Sequence, residues 1–262
     1  MAVWRKACKA NLIVSAGVFG IFWGMSGVYA QSATGSESSI AVENETANTW
    51  AFKLTPSYYV TTHQKDALDI NLRANYGPHA LWLAFYQRGK EFEQTRTGYE
   101  YTAKFRAGQL VPSLQLASHG FVGGAINAQI GGSVYALLGL GRTNKRDYYN
   151  LNFDPNDSIV YGIGTSLLPK STLSLFTVKD NRLHTGQTIT HAVWRMRPDQ
   201  HQRWTVDLSS KHGRAAADSA FVSGFGLSVT YDYRDIFFRL AQDQKVNFTP
   251  DDQTRLSIGL RF

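Results

Sequence analysis

Regular alternation of apolar and polar residues is the feature that most constrains how this chain can fold. The last ten residues, QTRLSIGLRF, place an apolar side chain at every second position and end on Phe262. Successive side chains of a β-strand point to opposite faces, so this pattern predicts a strand with one apolar and one polar face. We identify fourteen segments with this pattern between Trp50 and Phe262, of which the fourth is predicted to span Thr97 to Ala107. The sequence therefore predicts an all-β fold.

Residues 1–30 have the features of a cleavable secretory signal peptide. Three bases between Arg5 and Lys9 precede a short apolar stretch, and Val28 to Ala30 resembles a cleavage site. We predict cleavage after Ala30, which lowers the net charge from +7 to +4. Because Cys8 leaves with this segment, the mature chain is predicted to have no disulfide, no thiolate metal ligand and no cysteine nucleophile.

The remaining chain is predicted to cross a membrane with strands. After residue 25 no apolar run approaches the roughly 20 residues of a transmembrane helix. A bilayer offers no hydrogen-bond partners to the backbone, so a membrane protein without such helices must be a closed barrel. The predicted connections also alternate between short turns and longer loops, as in transmembrane barrels. We predict an up-and-down antiparallel transmembrane β-barrel over residues 50–262, with 14 strands and both termini periplasmic.

Three alternatives to parts of this prediction stay open at the level of sequence. Twelve strands are possible, because the glycine-rich stretch 120–141 is hard to divide. Residues 31–49 are small, polar and acidic, which predicts a flexible periplasmic lead-in, although the same segment could plug the lumen. A soluble, secreted β-sandwich is the alternative fold.

Taken together, these features resemble the outer-membrane β-barrels of Gram-negative bacteria, and small monomeric porin-like barrels in particular. The resemblance rests on the signal peptide, the alternating strands over 50–262 and the terminal Phe262. It implies export to the outer membrane, with periplasmic chaperones and the barrel-assembly machinery as partners and outer-membrane lipids around the mature barrel. It also implies that Phe262, whose ring ends the apolar face of the closing strand, matters for assembly.

The polar face of the strands is predicted to line the lumen, because a charge on the lipid face costs roughly 2–4 kcal/mol at mid-membrane. This face carries more bases than acids. Rings of bases favour anions, so the pattern predicts a porin-like channel for small, anionic solutes, although the bases could instead pair with the acids and brace the wall. The predicted lumen bases are Lys53, Arg73, Lys104, Arg106, Arg195, Arg197, Arg203, Lys211, Arg239, Arg255 and Arg261. The predicted lumen acids are Asp69, Glu100, Asp207, Asp232 and Asp243.

An inserted loop is one interpretation of two further features. Glycines gather on the predicted lumen face of the middle strands, at positions such as Gly162 and Gly164, and would leave room in the lumen. The connection 143–157 carries Tyr148 and Phe153, which are apolar for a solvent-exposed loop. The competing interpretation is strand curvature, because glycine also permits bends at barrel corners.

Catalytic chemistry is not indicated, although a barrel enzyme acting on outer-membrane lipid, or an occluded structural barrel, remains the alternative function. A serine nucleophile needs a histidine within hydrogen-bond reach. Ser118 and His119 are adjacent and would point to opposite faces, whereas Ser210 and His212 share a face near the extracellular end. The histidines lack metal-ligand spacing, so we predict no metal and no cofactor. The bases alternate along strands rather than forming a basic patch, which argues against nucleic acid as a partner.

Overall fold

The computed structural model describes residues 49–262, which form one antiparallel β-sheet. The first and last strands of this sheet pair with each other, so it closes into a barrel. The predicted signal peptide, and the predicted lead-in up to residue 48, lie outside the described residues. The strands are β1 Ala51–Thr61, β2 Ala67–Tyr76, β3 His79–Arg88, β4 Phe92–Tyr101, β5 Ala103–Phe105, β6 Gly108–Ala117, β7 Phe121–Gly131, β8 Val134–Thr143, β9 Ser158–Thr165, β10 Ser171–Asp180, β11 Thr188–Met196, β12 Gln202–Gly213, β13 Val222–Tyr233, β14 Ile236–Asp243 and β15 Gln253–Arg261.

These fifteen segments make fourteen crossing strands, because β4 and β5 are parts of one strand. Both pair with β6 on a single continuous register, in which Glu100 lies opposite Ser113 and Ala103 lies opposite Leu110. Only Thr102 separates them. The prediction of a closed antiparallel barrel with 14 strands is therefore confirmed, and the alternative of twelve is wrong.

Short turns and longer loops alternate along the chain. The start of β1 and the end of β15 lie at the same end of the barrel, which we call the turn end. The connections at this end have two to five residues. The opposite end, which we call the loop end, has connections of up to fourteen residues. At the turn between β2 and β3, Gly77 has φ +54°, a conformation that strains other residues.

Exposed and buried side chains alternate along each strand and divide the barrel wall into two faces. On β2, Leu68, Ile70 and Leu72 are exposed, whereas Asp69 and Arg73 are buried. Large apolar side chains are exposed on strands all round the barrel, which is the surface that hydrocarbon requires. The part of the chain that the structure describes contains no helix long and apolar enough to cross a membrane.

Phe262 extends the ladder that closes the barrel by one residue beyond β15. Its N–H donates to the carbonyl oxygen of Phe52 at 3.0 Å, and its own carbonyl oxygen accepts the Phe52 N–H at 2.8 Å. The two rings stack with centroids 5.7 Å apart on the outer face. The last residue thus contributes both backbone bonds and an apolar ring to the seam between the first and last strands.

We expect deletion of Phe262 to lower the amount of folded, heat-modifiable barrel in the outer membrane, because it removes both seam hydrogen bonds and the stacked ring. The measurement is the heat-dependent shift in gel mobility of outer-membrane fractions. Phe221→Ala, which truncates an exposed ring before β13, is the matched control and should assemble normally. Unchanged assembly of the deletion variant would contradict a role of Phe262 at the seam.

Candidate functional site: the barrel interior

The long connection between β8 and β9, residues 144–157, folds into the barrel and is called the lumen loop from here on. Leu151 and Phe153 are buried. Tyr149 stacks on Tyr86 of β3 at 5.3 Å, and its hydroxyl lies 3.5 Å from the amide nitrogen of Gln253 on β15. Because β15 and β3 lie across the closed sheet from β8 and β9, the loop spans the lumen.

Gln94 on β4 holds the middle of the lumen loop with its side-chain amide. Its Nε2 donates to the carbonyl oxygen of Tyr149 at 3.0 Å, and its Oε1 accepts the Tyr149 N–H at 2.9 Å. This pair satisfies both backbone groups of Tyr149, which lie inside the barrel where an unpaired peptide group is costly. The neighbouring Tyr148 stacks on Phe121 of β7, with centroids 4.3 Å apart.

Two aspartates fix the carboxyl-terminal part of the lumen loop. Asp157 accepts hydrogen bonds from the Thr143 hydroxyl at 2.5 Å and from Arg182 at 2.7 Å. Asp154 approaches His191 of β11 at 3.2 Å. The loop is therefore attached to the wall at several separate points.

The glycines of the middle strands make room for neighbouring wall side chains. A Cβ atom on Gly162 would lie 2.4 Å from the Cβ of Phe176, and one on Gly164 would lie 2.3 Å from the ring of Tyr135. The lumen loop does enter the barrel, as one of the two interpretations of the sequence predicted. The prediction that Gly162 and Gly164 make room for this loop was wrong, because side chains of adjacent strands fill the space beside these glycines.

The structure places the predicted lumen bases in three environments. Lys53, Arg73, Arg195, Arg203, Lys211 and Arg239 are buried inside the barrel. Arg197, Arg255 and Arg261 are partly buried. Lys104 and Arg106 do not join them, since both are exposed at the turn end, with Arg106 in the turn after β5. Among the predicted acids, Asp69, Glu100 and Asp232 are buried, whereas Asp207 and Asp243 are partly exposed.

Most of the buried acids have a base as a partner. Arg73 binds Glu100 at 2.6 Å, and Arg203 binds Asp232 at 3.0 Å. Asp232 also accepts a hydrogen bond from Arg261. Removing one partner of such a pair leaves an uncompensated buried charge, which costs about 3–5 kcal/mol. These pairs brace the wall.

Arg96, which binds Asp69, is a buried lumen base that the sequence analysis missed. The fourth strand was predicted to begin at Thr97, whereas it begins at Phe92. The outward residues of this stretch include Glu93 and Thr95, so the apolar half of the alternation is absent there. No sequence signal marked it as a strand.

Three bases stand side by side at the turn end of the interior. In the strand register Lys53 lies opposite Arg261 of β15 on one side and opposite Arg73 of β2 on the other. Like charges directly opposite each other destabilise a sheet. The face of Phe237 offsets part of this cost, because the Lys53 ammonium lies 4.5 Å and the Arg261 guanidinium 5.5 Å from its ring centroid.

A cavity of about 80 Å³ lies between the lumen loop and the wall formed by β10 to β15. Its lining includes Asp207 and Asp243 as well as Arg239 and Arg255. Both signs of charge therefore meet beside the loop, in contrast to the turn end, where bases predominate. Within residues 49–262, no cluster of three or more histidine, cysteine or carboxylate side chains could hold a metal ion.

One histidine of the outer face has a serine partner that the sequence did not indicate. Ser118 and His119 lie in a short turn at the loop end. His212 is paired with Ser223 of the neighbouring strand, not with Ser210, and its Nδ1 lies 2.9 Å from the Ser223 hydroxyl. Both residues are exposed on the outer face at the loop end.

Comparisons with known proteins bear on this architecture. No family model matches the chain, and no curated protein matches its sequence. The outer-membrane protein Omp33 of Acinetobacter baumannii matches with a TM-score of 0.53 and 8% identity, over 81% of this chain and 98% of that one. The fold is that of an outer-membrane β-barrel. The KdgM porin (TM-score 0.46, 9% identity, 80% and 99% coverage) and a mutant of Rh. blastica porin (0.48, 8%, 82% and 99%) are also similar.

We expect Gln94→Leu to loosen the lumen loop while leaving the barrel intact. The substitution removes two hydrogen bonds and leaves the Tyr149 amide and carbonyl without these partners, each at a cost of about 1–3 kcal/mol. Amide hydrogen exchange should become faster in the lumen loop and stay unchanged in the strands. Gln87→Leu, on the exposed face of β3, is the control. Equal loop exchange in both variants would show that Gln94 does not anchor the loop.

Proposed function

We propose that this protein is an outer-membrane channel for small hydrophilic solutes, narrowed by the lumen loop and selective for anions. The observation that carries the proposal is the row of cross-strand bases formed by Arg261, Lys53 and Arg73. Three adjacent positive charges are costly in a wall that could be built without them. A passing anion gains from the positive potential that these charges create.

The balance of charges at the turn end supports the same proposal. Among residues 49–262, two acids face this part of the interior, Glu100 and Asp232, and both are paired with bases. The surrounding low-dielectric wall strengthens the remaining positive potential, whereas salt screens it over roughly 8–10 Å at ordinary ionic strength. The bases at this end are Lys53, Arg73, Arg195, Arg203 and Arg261.

The lumen loop supports a narrow channel. It crosses the interior and leaves a cavity of about 80 Å³ on its β10–β15 side, which is room for a few water molecules. A small solute then passes close to charged side chains, and large solutes are excluded.

We expect a small conductance in planar bilayers that favours anions at low salt and loses this preference at high salt. Lys53→Gln should reduce the anion preference, because it removes the middle charge of the row and keeps a polar side chain of similar length. Reversal potentials in a salt gradient measure the preference. Lys104→Gln, which removes an exposed base outside the row, is the control.

Three results would count against this function. A cation-selective pore, or one that responds equally to Lys53→Gln and Lys104→Gln, refutes the role of the basic row. A barrel that conducts only after shortening of the lumen loop indicates an occluded structural barrel instead.

Hydrolysis of lipid esters is a second candidate function, and the His212–Ser223 pair is the observation that favours it. Imidazole at 2.9 Å can take the serine proton as the hydroxyl oxygen attacks an acyl ester, and the imidazolium then protonates the lipid alcohol that leaves. Water hydrolyses the resulting acyl-serine to release the fatty acid. The pair faces outward at the loop end, where ester groups of membrane lipids would be within reach.

If this second function exists, release of fatty acid from outer-membrane lipids should disappear in Ser223→Ala and persist in Ser210→Ala. Ser210 lies on the same outer face but is not the partner of His212. Free fatty acid released from purified lipids is the readout. Absence of release by the wild-type protein, or release that survives Ser223→Ala, excludes this pair as a catalytic site.

A further inference from the structure

One histidine joins the lumen loop to the wall through two carboxylates. The Nδ1 of His191 lies 3.0 and 3.1 Å from the two carboxylate oxygens of Asp207 on β12. Its Nε2 lies 3.2 Å from a carboxylate oxygen of Asp154 on the lumen loop. The ring is mostly buried and stacks on Phe176 of β10 at 4.9 Å, which fixes its plane. Both ring nitrogens therefore face acidic groups from opposite sides.

This arrangement requires two protons shared among three groups. An ionised carboxylate can only accept hydrogen bonds, whereas a neutral imidazole has one N–H donor and one acceptor nitrogen. Two hydrogen bonds form when the ring is an imidazolium, or when one carboxyl group carries the second proton. Loss of that proton leaves a ring nitrogen and a carboxylate oxygen facing each other with lone pairs only. The titration belongs to the cluster as a unit.

We propose that Asp154, His191 and Asp207 form a proton-dependent clasp that holds the tip of the lumen loop against the wall. With the second proton bound, the clasp is closed and the lumen is narrow. When that proton is lost as pH rises, the contact between His191 and Asp154 becomes repulsive, and the segment around Asp154 leaves the wall. For its effect on conductance, this inference rests on the proposed channel function.

The other charged groups around the clasp change the pH at which it opens but not the direction of the effect. Arg239, Arg255 and Asp243 line the same cavity, and Asp243 binds Lys211 at 3.2 Å. From β10 the ring meets the uncharged Phe176. None of these groups supplies the hydrogen bond between the loop and the wall that the clasp loses.

Opening of the clasp moves only part of the lumen loop. Gln94 holds the backbone of Tyr149 on one side of the tip, and Asp157 with Arg182 holds the other side. The freed segment is therefore 150–156. Such a short movement widens the lumen beside β11 and β12 without unfolding the barrel.

Hydrogen exchange at constant pH tests the clasp independently of conductance. At neutral pH, His191→Asn and Asp154→Ala should each speed amide exchange in 150–156 by about tenfold or more, the size expected for loss of a charge-assisted hydrogen bond. His184→Asn, which changes an exposed histidine in the 181–187 loop, is the matched control and should leave exchange unchanged. Equal exchange in wild type and both clasp variants overturns the proposal.

Conductance against pH tests the consequence. As pH rises through and above the range of about 5 to 8 in which histidines commonly titrate, the wild-type conductance should rise. His191→Asn should have the higher conductance throughout and respond little to pH, whereas His184→Asn should behave as wild type does. A pH response that survives His191→Asn overturns the clasp as a gate. A barrel that never conducts overturns the channel function, and hydrogen exchange then decides the clasp alone.

Discussion

Closure of the backbone hydrogen-bond ladder between β1 and β15 is the constraint on which the rest of this structure depends. In hydrocarbon an unpaired edge strand would leave a row of unsatisfied peptide groups, each costing several kcal/mol. Pairing from Lys53 with Arg261 to Thr61 with Gln253 removes that edge. Once the sheet is closed, every strand has one face toward lipid and one toward the interior. Closure therefore places apolar side chains such as leucine on the outer face and bases such as arginine on the inner face.

A closed wall makes the interior a place where charges must find partners. Arg73, Arg203 and Arg96 do so with Glu100, Asp232 and Asp69, across strands that sequence separates by 27 or 29 residues. The lumen loop brings peptide groups into the same space, and side chains such as Gln94 take the place of a neighbouring strand. The inward-facing side chains thus both fill the lumen and provide partners for its charges and peptide groups.

The two halves of the interior differ in their balance of acids and bases. At the turn end bases exceed acids, and an aromatic face shares in stabilising them. Beside the lumen loop, acids and bases are closer to balance, and a histidine stands between two carboxylates. In the proposed channel, the positive region attracts anions, and the separate charged contact beside the loop holds the loop in place.

The sequence alone determined the barrel. Alternation to the last residue predicted strands, the absence of a long apolar run excluded helices, and loop lengths predicted an even strand number, because these properties are local and repeat along the chain. The prediction omitted the first five residues of the fourth strand, because the outward positions there are polar. Only the tertiary structure determined which side chains are hydrogen-bond partners. The Ser223 partner of His212 lies on the next strand, and the Asp154 partner of His191 lies on a loop that crosses the lumen. Such contacts depend on register and on the path of a loop through space, which a one-dimensional pattern does not contain.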